Sequence, residues 1–314
     1  MRRLLVACAA LALVACAASP PMRAQWPPAT AGVELTATPF FPQTRYQCGP
    51  AALATALAAS GVAVTPDELA PQVYLPGRRG SLQLELVAAA RRQQRLAYPL
   101  KPDPAALLAE LASGQPVLVL QNLGVSWLPV WHYAVVIGAD PVAETVVLRS
   151  GTDRRRVMRW NRFMDSWRRA DQWAVVVTPM DRVPVSATAL DWLGAAAAFE
   201  QLGQLPLATI AYEAASRRWG DATLAWQLLG NARYRGGDLA GARRAFQRAV
   251  ELKPEAAAYN NLAQVELELG CRDAAAAALA QAESLTATPA VASVIAQTRA
   301  ALAAAPSNGV CMAQ

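Results

Sequence analysis

One cysteine and one histidine frame the chemistry open to this chain. Cys48 stands in residues 42–57, "PQTRYQCGPAALATAL", where a polar, turn-like stretch breaks into an alanine-rich run. Gly49 and Pro50 give a turn and a pre-set first helical turn, and 51–60 has strong helix propensity. Gly61 can close that helix. A thiol at this junction meets unpaired backbone N–H groups and the positive end of the helix dipole, and both favour a thiolate. His132, the sole histidine among 314 residues, opens the strand-like run "PVWHYAVVIGAD". A strand start beside a cleft is a place where an imidazole can face a helix-borne thiol. On position alone, a buried inert thiol and a core imidazole packed between Trp131 and Tyr133 fit equally well. Zinc is not expected, because one histidine and scattered cysteines supply too few ligands. The absence of a Gly-rich phosphate loop likewise leaves no cofactor to expect.

The elements around these residues read as α+β. After the Cys48 helix, "VTPDEL" starts a short helix and "GSLQLELVAAARRQQ" an amphipathic one, with Ser81 as its cap. "DPAALLAELASGQ" gives another. Strand-like runs follow at 117–120, 133–137, 145–148 and 173–177. Early helices followed by an antiparallel sheet exclude a βαβ alternation. The run "DRRR" at 153–156 reads as a solvated turn between strands. The tryptophans at 127, 131, 160, 167 and 173 suit either a peptide groove or the sheet core.

Hydrophobic residues make up 54% of the chain and charged ones 17%, a globular composition long enough for two domains. The start, "MRRLLVACAALALVACAASPP", has the basic n-region and short apolar h-region of a secretory signal. Leu13-Val14-Ala15-Cys16 looks like a bacterial lipobox. On that reading 1–15 is a signal peptide, Cys16 carries lipid and 16–33 is a tether. Ala17 follows instead of an aspartate, which points to an outer-membrane anchor facing the periplasm. The mild positive excess, mostly arginine, does not suggest a nucleic-acid partner.

After cleavage removes Cys8 with the signal peptide, three cysteines remain besides Cys16: Cys48, Cys271 and Cys311. Cys271 opens a helix. Thr288 and Pro289 start another of similar length, stopped by Pro306. Packed antiparallel, the second helix returns the tail to the level of Cys271, so a Cys271–Cys311 disulfide is expected and Cys48 stays free.

Beyond a linker at 180–188, a 34-residue self-similarity appears. Trp192, Phe199, Gly203, Ala208, Tyr212 and Ala215 recur as Trp226, Arg233, Gly237, Ala242, Phe246 and Ala249. A third copy starts at Tyr259. The pattern resembles tetratricopeptide repeats, which implies a separable all-α domain over 187–305, with a capping helix and a concave face for a protein partner.

The motif "Q-x4-CGPAALA", followed by "HYAVVIG-D" about 80 residues on, resembles the bacteriocin-processing, double-glycine-leader type of papain-like cysteine peptidase and its stand-alone relatives. The likeness covers roughly 35–178. It implies a papain-like domain over 34–180 with Cys48 as nucleophile and His132 as base, a reactive ion pair between them, and Gln43 as the amide that helps hold the oxyanion. The family's third member, an aspartate usually followed by proline, is missing. Folding 133–149 as a hairpin brings "RSGTD" opposite His132, so Ser150 or Asp153 takes that place. Asp140 reads as a turn residue.

The expected function is therefore an exported, lipid-anchored peptidase acting on a peptide or protein substrate. A non-catalytic peptide-binding adaptor and a thioester acyltransferase are the alternatives. With no transporter-like membrane region or ATP-binding loop, a leader-peptide exporter is excluded.

Overall fold

The structure, a computed structural model, describes residues 20–27, 31–43, 47–306 and 311. Cys16 and the signal-peptide reading of 1–15 lie outside the described residues. The chain opens with α1 (Met22–Gln25), β1 (Val33–Glu34), α2 (Cys48–Ala59) and α3 (Pro66–Val73). A two-stranded ribbon of β2 (Tyr74–Leu75) and β3 (Gly80–Ser81) follows, then α4 (Gln83–Arg92), β4 (Leu96–Pro99) and α5 (Pro104–Ala112). The strands β5 (Val117–Asn122), β6 (Trp131–Asp140), β7 (Thr145–Ser150) and β8 (Asp153–Arg159) come next. The helix α6 (Trp160–Arg168) and β9 (Ala174–Thr178) complete this half.

The main sheet is antiparallel, ordered β4-β9-β5-β6-β7-β8, with β1 added on β6. Its central strands are apolar on both faces because both are covered. Leu118, Tyr133, Val135, Ile137 and Val175 pack under α2, α3 and α4. Val117, Val119, Ala134, Val136 and Val176 point to the other side, against α5 and α6. The run "DRRR" is not a turn: it opens β8, an exposed edge strand. Alternation is hidden there because nothing covers the edge, and charged side chains protect such edges from further pairing.

The repeat region is helical throughout: α7 (Ala189–Gln201), α8 (Leu205–Arg218), α9 (Thr223–Arg235), α10 (Leu239–Leu252), α11 (Ala256–Glu268), α12 (Arg272–Ser284) and α13 (Pro289–Ala304). Gly203, Gly237 and Gly270, at the inter-helix turns, all take left-handed φ, a conformation open to glycine at little cost. Gly230 lies against the Phe246 ring, where a Cβ would sit 2.6 Å from a ring carbon. Small residues at these places let the paired helices close up.

Two boundary expectations need correction. The tether does not extend to residue 33: Met22 and Trp26 are buried in the core, and the Trp160 indole donates to the Pro20 carbonyl at 3.1 Å. Apolar side chains spaced by prolines resembled a linker, but here they fill a gap beside α5 and α6. Nor does the repeat region begin as a detached unit. Trp192, Leu193, Ala196 and Phe199 share one continuous core with Leu96, Tyr98 and Leu107 of the first half. Tyr98 and Trp192 meet ring to ring at 6.3 Å. The seam is also latched by polar groups, since buried Glu110 accepts from the Ser186 N–H at 2.7 Å and its hydroxyl at 2.6 Å. Cys271, at the start of α12, is joined to Cys311 by a disulfide that closes a 40-residue span.

Among the described residues, no helix is long and apolar enough to cross a membrane. The shared core yields a prediction. Trp192→Ala should cost about 3–5 kcal/mol, as for other large buried side chains. It should weaken hydrogen-exchange protection in β4 and in α9–α10 together. Loss of protection in the helices alone would show that the two halves are independent.

Candidate active site

The first turn of α2 and the first residues of β6 meet at one cavity of about 640 Å³. Cys48, Gln43, His132 and Tyr133 line it, with the Arg78–Gln83 segment forming one wall and Leu120, Val130 and Trp131 the other. Cys48 is placed there because α2 begins on it and buries its alanine face against the sheet. Gly49 makes that approach possible: a Cβ there would lie 2.3 Å from Ser81 Oγ. Gln43 lines the cavity, whereas Gln47 stands at the N-cap of α2.

Backbone groups surround the thiol. The N–H groups of Tyr133, Gly49 and Cys48 itself favour its charged form, yet burial outweighs them and pushes the Cys48 thiol up. His132 moves the opposite way. Burial, with a contribution from the Arg156 charge, lowers its pKa to about 4. Both groups are therefore neutral at rest. Neither shift favours the expected thiolate–imidazolium pair: the helix N-terminus is present, but desolvation acts against the charged form of each group. The sign for stability follows directly. An unfolded chain's imidazole takes up its proton near pH 6.5 and the folded one does not, so stability falls as pH drops from 6.5 towards 4.

The partner of His132 is Ser150. Its Oγ lies 2.8 Å from Nε2, which leaves Nδ1 open. The other candidate, Asp153, is not brought to the imidazole; its carboxylate is exposed and 3.8 Å from Arg156. Asp140 caps the β6–β7 turn, accepting from the N–H groups of Val142 and Ala143. A hydroxyl in place of a carboxylate is part of why the imidazole stays neutral, since no negative charge faces it to hold a proton.

Gln43 sits at the end of a strap over β6 and β7. Its N–H donates to the Gly151 carbonyl at 3.0 Å, and its Nε2 lies 3.4 Å from the Tyr133 carbonyl. The strap is pinned by Arg149, a buried guanidinium that donates to the Thr36 and Thr38 carbonyls. Arg149 was not singled out from sequence. Ser81 was expected only as a helix cap. In the fold it lies against Gly49, with its carbonyl accepting from the Tyr133 hydroxyl and its own Oγ buried without a partner. Trp160 and Trp167 belong to the core, whereas Trp131 lines the cavity and Trp127 is exposed beyond it.

A second cavity of about 400 Å³ lies among the repeats, lined by Asn231, Tyr234, Asn261 and Gln264 with Glu200, Arg235 and Phe246. Among the described residues there is no cluster of three metal-ligating side chains, and Cys48 is the free cysteine.

Comparison with known proteins agrees with this architecture. Residues 35–175 match the model of the Peptidase_C39 like family. Residues 223–256 match that of the tetratricopeptide repeat. The crystal structure of a protein assigned as a C39-like peptidase from Bacillus anthracis is 18% identical, with a TM-score of 0.40, and the match covers 47% of this chain and 97% of that one. Among curated proteins nothing matches. The chain thus carries an α+β C39-like peptidase domain with an antiparallel sheet, followed by a helical tetratricopeptide region.

The contact at Gly49 gives a test of the site's construction. Gly49→Ala forces Ser81 or α2 to move and should destabilise by about 1–3 kcal/mol, the usual range for overpacking. Urea unfolding measures it; an unchanged midpoint would mean that α2 does not press against Ser81.

Proposed function

We propose that this chain is an exported cysteine peptidase in which Cys48 is the nucleophile and His132 the general base. The observation that carries the reading is the shared cavity: the free thiol at the start of α2 and the sole imidazole, with Nε2 held by Ser150 and Nδ1 left open. As Sγ attacks a scissile carbonyl, its proton passes to Nδ1, so charge separates only in the transition state. The developing oxyanion is met by the Cys48 N–H and the Gln43 amide. Imidazolium then returns the proton to the leaving amine, and water, deprotonated by the same Nδ1, releases the acyl group from sulfur. Ser150 keeps the ring oriented, as the family's missing aspartate would, but adds no charge.

Export and a lipid on Cys16 belong to the same proposal. The N-terminal sequence supports them, and so does the Cys271–Cys311 bridge, since disulfides persist in oxidising compartments. The amide-lined groove of the repeats is the surface for a protein partner.

One observation favours a second reading. A neutral thiol–imidazole pair backed by a hydroxyl also suits a domain that binds peptides without cleaving them. Labelling Cys48 with a peptide vinyl sulfone separates the two. For the peptidase, His132→Ala should slow labelling at least about 100-fold and Cys48→Ala abolish it. Ser150→Ala should slow it modestly, and Ser150→Asp should preserve or raise it. Gln43→Ala should lower hydrolysis about 10- to 1000-fold, as for one oxyanion donor. Equal, slow labelling of the native and His132→Ala proteins would favour the adaptor.

A further inference from the structure

The loop between β5 and β6 exposes apolar side chains in an unusual density. Within nine residues, Leu123, Val125, Trp127, Leu128, Val130 and Trp131 are all substantially exposed, Trp127 by 83% and Leu128 by 61%. Scattered exposed apolar residues need no explanation, but a contiguous set of them does. Nor is this a loose segment. The buried Asn122 side chain accepts from the N–H groups of Gly124 and Val130, both at 3.0 Å, and donates to the Val125 carbonyl. Val125 and Leu128 exchange backbone hydrogen bonds at 3.2 Å. Gly124 is needed for this closure, because a Cβ there would lie 2.3 Å from the Leu128 carbonyl oxygen. Arg169 ties the base of the loop by donating to the Asn122 carbonyl. A polar scaffold thus holds apolar groups out into solvent.

Two observations say what covers them. First, the patch is continuous with the cleft, since Val130 and Trp131 line the cavity that holds Cys48 and His132. Second, the N-terminal chain joins the body at the opposite end of β6, where Met22 N–H donates to Glu144 and Trp160 holds Pro20. Ten residues of strand separate the two ends, about 30 Å. The described N-terminal chain thus enters the fold away from the loop.

We propose that the 123–131 loop is the recognition surface for an extended, apolar segment of the peptide substrate, laid from the cavity wall at Val130 and Trp131 out to Trp127 and Leu128. This rests on the peptidase reading and adds to it the class of substrate: chains with several large aliphatic or aromatic residues beside the site of attack. Trp127 and Leu128 are specificity residues here, with no part in the chemistry.

The test uses the full chain and protection of Cys48 from iodoacetamide. One probe is a decapeptide alternating Leu or Phe with Ser; the other is its counterpart with Thr in place of every Leu and Phe. The apolar peptide should protect Cys48 and the polar one should not. In the double variant Trp127→Ser, Leu128→Ser, the concentration needed for protection should rise at least about tenfold, while alkylation without peptide stays unchanged. Trp127→Phe, Leu128→Met should protect like the native protein. Equal protection of the native and double-serine proteins would overturn the proposal. So would a concentration-dependent dimer that the double-serine variant abolishes, since that assigns the loop to a second copy. Peptide vinyl sulfone labelling tells the two failures apart: labelling that survives while protection ignores the loop sinks this inference alone, and loss of His132-dependent labelling sinks the peptidase reading.

Discussion

The register of β6 is the constraint on which the cleft depends. Paired with β5 on one side and β7 on the other, this strand sets His132 against Gln121 and brings Ser150 to its imidazole. The next residue, Tyr133, turns its N–H to the Cys48 thiol and its carbonyl towards Gln43. Alternation puts His132 on the face of Ala134 and Val136, opposite Gln121. A slip of one residue would turn it to the α2 face in the place of Tyr133, away from Ser150. That register is fixed by burial on both faces, with Val135 and Ile137 under α2 while Ala134 and Val136 face the opposite core. The site is precise because the strand has no alternative way to bury itself.

Burial also decides the electrostatics. The same packing that orients the thiol and imidazole strips water from both, which disfavours the charged form of each. A helix N-terminus and nearby N–H groups act against that trend for Cys48 without reversing it. With a hydroxyl at position 150 instead of a carboxylate, nothing stabilises a resting imidazolium. On the proposed peptidase reading, the pair would transfer its proton during attack instead of before it, with Ser150 positioning the ring without charging it.

Much of this was legible in the sequence, and the exceptions have physical reasons. The Cys48 helix, the strand of His132 and the repeat phase all rest on local patterns: turn residues, apolar periodicity and turn glycines 34 residues apart. What escaped depends on contacts between distant segments. Met22 and Trp26 read as tether because their core lies in α5 and α6, more than 80 residues away. β8 read as a turn because an uncovered edge strand has no apolar face to announce it. Asn122 and Arg149 look like surface polar residues until the loop or strap they hold has closed around them. Trp192 marked a repeat correctly, but the repeat pattern carries no sign that its first helix also completes the core of the sheet.

The central claim is the neutrality of the thiol–imidazole pair. Because His132 is the chain's single histidine, its imidazole can be followed alone by nitrogen-15 NMR across pH. The account predicts a neutral ring at pH 7, protonated on Nε2 towards Ser150 and titrating near pH 4. A ring charged at pH 7, whose charge disappears when Cys48 is replaced by alanine, would reveal a preformed thiolate–imidazolium pair and contradict it.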